Sequence, residues 1–186
     1  MARTPSNMLP LGTTAPDFSL LDTVSDAVLK LNDIKGEKGT VIMFICNHCP
    51  FVIHVNPELV SIANLYTSKG LSFIAISSND AVNYPQDSPE KMKLHAESEN
   101  YPFPYLYDET QDVAKAYDAA CTPDFYVFDK DLKLTYRGQL DNSRPGNGIP
   151  ITGKDMRHAI DCLLEGKDNT QTQKPSIGCN IKWKSS

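Results

Sequence analysis

Cys46-Asn47-His48-Cys49 places two thiols two residues apart, directly after the apolar run Gly39 to Ile45 and directly before Pro50. That position is where a buried strand hands over to a helix. A helix begins with unsatisfied N–H groups and the positive end of its dipole, and both stabilise a thiolate. The thiolate is the species that attacks disulfides and peroxides. His48 lies between the sulfurs and is expected to add to the field on them, since an imidazole in the first turn of a helix can be cationic near neutral pH. The plainer alternative is a surface histidine without an electrostatic role. A Cys-x-x-Cys pair also reads as half of a zinc site or as coincidence. A structural zinc site usually needs four ligands, commonly from a second close pair, and no second pair follows. The expectation is therefore a redox pair, with no metal and no cofactor.

Three further cysteines stand apart. Cys121 begins Cys121-Thr122-Pro123-Asp124, just ahead of an apolar run. A proline at the mouth of a strand suits a cis peptide bond, or simply an ordinary trans proline opening an edge strand. Cys121 reads equally as a third redox thiol or as a small buried apolar residue. Cys179 lies in a polar tail between Gly178 and the anchors Ile181 and Trp183. It reads as an additional redox thiol, exchanging with the pair or with Cys121, or as packing alone. Cys162 falls in the last helix and is expected to be non-catalytic, and His54 to be an ordinary helix residue.

These groups need a frame. The 186 residues are expected to form one domain (1–186), with an N-terminal arm at 1–16 and a C-terminal tail at 166–186. A net charge of -5, with no basic run among 18 Lys and Arg, argues against nucleic acid. No apolar stretch has membrane-spanning length, and the start lacks a signal-peptide core. With an odd number of cysteines, the expected compartment is the cytoplasm. Oligomeric state is not readable.

Residues 1–16 read as loop, and Asp17 to Leu20 as a short extended piece. Val41 to Ile45, continuously apolar and branched, predicts a central buried strand. Val55, Leu59, Ile62, Ala63 and Tyr66 recur at helical spacing, with Pro50 in the first turn and Gly70 at the stop. Leu71 to Ser77 predicts a parallel partner strand. Helices are predicted over Ser88 to Glu99 with Ser88 as N-cap, over Thr110 to Ala119, and near Lys154 to Leu164. Phe125 to Phe128 and Leu132 to Tyr136 predict a hairpin around Asp129-Lys130-Asp131.

Taken together, the chain resembles the thioredoxin superfamily, and within it the peroxiredoxin-like, AhpC/TSA-type redoxins. The resemblance rests on Ala15-Pro16-Asp17-Phe18, Phe44 to Pro50 and Cys121 to Phe125, with Ser143 to Gly148 and Ile177 to Trp183. It implies an α/β, thioredoxin-like fold, a central mixed β-sheet flanked by helices. It implies that Pro123 is cis and sits beside the dithiol with Thr122. It also implies Cys46 as an exposed nucleophile and Cys49 as the resolving thiol. The implied activity is thiol–disulfide exchange with a protein or small-molecule disulfide, recharged by a thiol reductant. Peroxidases of this kind carry a Thr three residues before the attacking cysteine and an Arg from elsewhere. If Cys49 is matched to that cysteine, the Thr position is Cys46, and Arg137 or Arg144 would have to supply the cation. Peroxide reduction is accordingly the second reading, and a metal-binding or redox-sensing module the third.

Overall fold

The computed structural model describes residues 3–185. Along the chain run β1 (Arg3–Pro5), β2 (Ser19–Asp22), β3 (Val28–Lys30), the single turn α1 (Leu31–Ile34), β4 (Gly39–Phe44), α2 (Pro50–Thr67) and β5 (Leu71–Ser77). A 3-10 turn at Pro85–Asp87 leads into α3 (Pro89–Ser98), β6 (Tyr105–Tyr107), α4 (Asp112–Ala116), β7 (Cys121–Thr122) and β8 (Asp124–Asp129). Then follow β9 (Leu134–Gly138), α5 (Lys154–Leu164) and β10 (Ile177–Asn180). The main sheet has seven strands in the order β3-β2-β6-β5-β4-β8-β9. It is mixed: β4 runs parallel to β5, and β5 to β6, whereas β8 pairs antiparallel with both β4 and β9.

β4 is central because every one of its residues is buried. The pleat sends its side chains alternately to two cores. Val41, Met43 and Ile45 face the core built with α2, α3 and α5, while Ile42 and Phe44 face the one containing Leu31, Ala114 and Tyr117. Helices thus cover both faces, as the fold class requires. The predicted α2 stripe is the buried one, and Gly70 closes the helix at φ +95°, a conformation that favours glycine. Ser88 caps α3, its Oγ accepting from Lys91 N at 3.4 Å.

The structure departs from the sequence expectations at several points. α4 is shorter than Thr110–Ala119: Gln111 before it and Asp118 after it have positive φ, and the Asp108 carboxylate takes the Ala114 N–H at 2.9 Å. The hairpin loop extends through Leu132, with Asp129 Oδ1 accepting from Asp131 N and Lys133 N at 2.9 and 2.8 Å. The arm and the tail are not loops where they meet. β1, β10 and β7 form a second, three-stranded antiparallel sheet, with Arg3 opposite Cys179 and Cys179 opposite Thr122. Of the two expected anchors, Ile181 is buried, whereas Trp183 is 42% exposed.

Candidate active site

The dithiol sits where β4 ends. Ile45 N still bonds to Ile76 O at 3.0 Å, continuing the strand's pairing; the chain then turns toward α2. Cys49 is the N-cap residue of α2 and Pro50 its first residue, so the missing proline N–H falls where a helix has no use for one. The intervening residues are held by a segment that the sequence did not point to. Asp87, fully buried at the end of the 3-10 turn, accepts from Asn47 N at 2.9 Å and from Asn79 Nδ2 at 2.8 Å. Its Oδ2 also lies 2.6 Å from His48 Nδ1. Nδ1 makes no well-angled hydrogen bond there. Tyr105 donates to Asn47 Oδ1 at 3.1 Å, and the His48 ring lies parallel to that of Tyr84.

The second wall comes from β7 and the residue after it. The Thr122–Pro123 peptide is cis. Thr122 Oγ1 lies 3.4 Å from Cys46 Sγ, and Thr122 O lies 3.1 Å from Cys49 Sγ. The expected meeting of Cys46, Cys49, Thr122 and Pro123 is therefore present. The exposed placement of Cys46 is not: Cys46 is 1% exposed and Cys49 0%. The rim beside Pro123 is a narrow cleft lined by Phe51, His54, Phe125, Ser143 and Arg144. His54, expected to be an ordinary helix residue, meets Ser143 Oγ there at 2.8 Å.

The third wall carries Cys179, which the sequence offers as an additional redox thiol or as packing alone. β10 brings Cys179 Sγ to 2.9 Å from Cys49 Sγ. Gly178 makes this approach possible, since a Cβ at that position would overlap the Thr122 carbonyl oxygen. The tail is then tied down beyond the site. Ile181 N bonds to Ala120 O, Lys182 N to Asn79 Oδ1 and Lys184 N to Gln111 Oε1, at 3.2, 2.8 and 2.8 Å.

The thiols differ in acidity because their surroundings differ. Cys49 is lowered to about 5, first by its hydrogen bond with Cys46, against desolvation, and further by its contact with Cys179 and the Val52 N–H in the first turn of α2. The Thr122 carbonyl accepts from the Cys49 thiol at 3.1 Å and acts the other way, favouring the protonated form. Cys46 is pushed well above the usual thiol range by its hydrogen bond with Cys49, by burial and by the nearby Asp87 carboxylate. Cys179 is raised to about 12 by burial and by its hydrogen bond to Cys49. Cys121 is also raised, by burial and by Asp124, and its thiol points at Pro123 O 3.7 Å away. Cys162 lies on α5, 3.5 Å from His158 and apart from these groups. Of the site's four thiols, Cys49 is the one shifted downward.

Neither arginine stands ready for a peroxide. Arg137 is fully buried and donates to Asp124 Oδ2, Tyr117 O and Asp118 O at 3.1, 3.4 and 2.8 Å. Arg144 is spent on Asp141 O, Ser143 O and Gln139 Oε1. As for metals, Cys46, His48 and Asp87 each present a ligand atom within 4.8 Å of the others, the one such group among the described residues. Asp87, however, is already engaged by Asn47, Asn79 and His48.

Comparisons with known proteins agree with this architecture. A crystal structure of an uncharacterized conserved protein from Geobacillus kaustophilus superposes with a TM-score of 0.98 at 64% identity, covering 100% of this chain and 98% of the other. The thioredoxin domain of a thiol-disulfide oxidoreductase from Bacteroides vulgatus shares the fold, with a TM-score of 0.66 at 19% identity over 84% of this chain and 99% of that one. Among curated sequences, the thiol-disulfide oxidoreductase ResA of Geobacillus kaustophilus is 28% identical over 69% of this chain and 68% of its own length. The AhpC/TSA family model matches residues 11–137. On that match, which spans more than half of its length and includes the dithiol and the cis proline, the chain belongs to the AhpC/TSA family.

Proposed function

We propose that this protein is a thiol–disulfide oxidoreductase that cycles between a Cys46/Cys49 dithiol and a Cys46–Cys49 disulfide. The observation that carries the reading is the pair's setting: two buried sulfurs where β4 hands over to α2, one 3.4 Å from Thr122 Oγ1 and the other 3.1 Å from Thr122 O, beside the cis Thr122–Pro123 peptide. Such a pair is poised for exchange, since the low-pKa sulfur attacks or leaves readily and its neighbour completes the disulfide. In the forward direction a substrate disulfide takes two electrons and two protons, leaving as two thiols while the Cys46–Cys49 bond forms. A thiol reductant returns the dithiol. Near-complete burial of both sulfurs favours small or extended disulfides over folded surfaces. On the sequence evidence the proposed setting is the cytoplasm.

The test is reduction of a small disulfide by the reduced protein, with a dithiol reductant regenerating it. Turnover is expected to disappear in both Cys46→Ser and Cys49→Ser. Wild-type rates in either variant would refute the pair. Hydrogen peroxide serves as the comparison substrate; slow consumption is expected, because the two candidate arginines are engaged elsewhere.

A further inference from the structure

The position of β10 carries a step beyond dithiol cycling. We infer that Cys179 exchanges with Cys46 for possession of Cys49, so that the site holds a three-cysteine centre with Cys49 as the shared sulfur. The inference rests on the redox reading of Cys46 and Cys49 above and names an additional member of that site.

Three observations support it. The Cys49 and Cys179 sulfurs are 2.9 Å apart, less than ~1 Å beyond the length of a disulfide bond. The contact is built rather than incidental: β10 pairs in register with β7, Cys179 opposite Thr122, and Gly178 is the residue that lets the strand lie against the Thr122 carbonyl. Hydrogen bonds on both sides of Cys179 hold it there, from Ser6 N to Ser176 O at 2.8 Å and from Ile181 N to Ala120 O at 3.2 Å. Cys121, the other nearby thiol, points instead to the Pro123 carbonyl.

The step is an isomerisation and needs no external oxidant. From the Cys46–Cys49 disulfide, the Cys179 sulfur gives up its proton and attacks Cys49 Sγ. The Cys49–Cys179 bond forms, the Cys46–Cys49 bond breaks, and its electron pair leaves on Cys46 Sγ, which takes up a proton. Thr122 Oγ1, 3.4 Å from Cys46 Sγ, is placed to donate to the departing thiolate. Cys46 is then a thiol again while the chain remains oxidised by two electrons. The external thiol reductant of the parent cycle reduces the Cys49–Cys179 bond, taking its place as the disulfide.

The experiment uses the full chain. Reduced protein is oxidised at low concentration with graded oxidised glutathione, quenched in acid, alkylated and mapped by mass spectrometry of non-reduced peptides. The expected wild-type map contains a Cys49–Cys179 peptide beside the Cys46–Cys49 one. In Cys46→Ser, two of the four remaining thiols per chain are expected to resist alkylation, as one intramolecular Cys49–Cys179 bond. Gly178→Ala, in which β10 must move off Thr122, is expected to keep Cys46–Cys49 and lose Cys49–Cys179. A wild-type map with only Cys46–Cys49 at every glutathione ratio overturns the exchange and leaves the redox reading standing. A map with neither bond overturns both.

Discussion

Replacing Cys46 with alanine removes the group that holds the Cys49 thiolate most strongly. Cys49 titrates at about 5, and the hydrogen bond from the Cys46 thiol is the foremost cause. A hydrogen bond to a charged group contributes about 1.5–3 kcal/mol, and one pKa unit corresponds to ~1.4 kcal/mol. Its loss therefore moves the Cys49 midpoint up by about one to two units, to about 6–7. The bonds from Cys179 and Val52 remain and keep it below an ordinary thiol. The assay is thiolate ultraviolet absorbance against pH, with the spectrum of Cys49→Ser subtracted so that only this sulfur is read. The sign of the linked stability follows. A thiol whose folded-state pKa is depressed stabilises the fold in full above its unfolded-state pKa, and the contribution shrinks as pH falls and is gone below the folded-state pKa. The wild type is thus expected to lose up to ~3 kcal/mol from this group between pH 7 and pH 4, and Cys46→Ala distinctly less. A wild-type midpoint in the ordinary thiol range, or an unchanged midpoint in the variant, refutes the shared-proton account.

Two further outcomes follow from buried groups near the site. Arg137→Met leaves Asp124 buried without its cation, 3.1 Å from where Nη2 stood, and is expected to cost about 3–5 kcal/mol in urea unfolding at pH 8. Burial already raises Asp124 to about 7, so its neutral form favours folding at low pH and that contribution is lost as pH rises through 7. The penalty of the variant should accordingly shrink on going from pH 8 to pH 5, and a pH-independent penalty would show that the carboxylate is not its origin. Gly178→Ala is expected to destabilise the chain by about 1–3 kcal/mol as β10 is forced off Thr122. Unchanged thermal stability there would mean that the strand shifts without cost.

What could be read in advance was what local pattern encodes. β4, β5, α2 and α5 announce themselves through continuous apolar runs or helical spacing, and the dithiol through its place between two of them. β6 was missed because it is three residues long and follows Pro102 and Pro104. β1 and β10 were missed because Arg3, Thr4 and Asn180 carry no strand periodicity; each becomes a strand only because the other lies opposite. Asp87 has no spacing signal at all, since its three contacts come from Asn47, His48 and Asn79, brought to it by the fold. Arg137 was legible as a cation but not as a buried one. Its placement depends on Asp124, which is next to the cis proline. The burial of Cys46 was hidden for the same reason: the walls around it come from the 3-10 turn and from β7, far apart in the chain.

The pairing of the first described strand with the last also orders events during synthesis. A ribosome delivers β4, Cys46, Cys49 and α2 first, the cis-proline strand later, and β10 with Cys179 after both. Until then the two thiols have their main sheet and helix but not the strand that closes over Cys49. Chain order therefore separates the making of the pair from its covering: the strand that lies against Cys49 is the last one to join the fold.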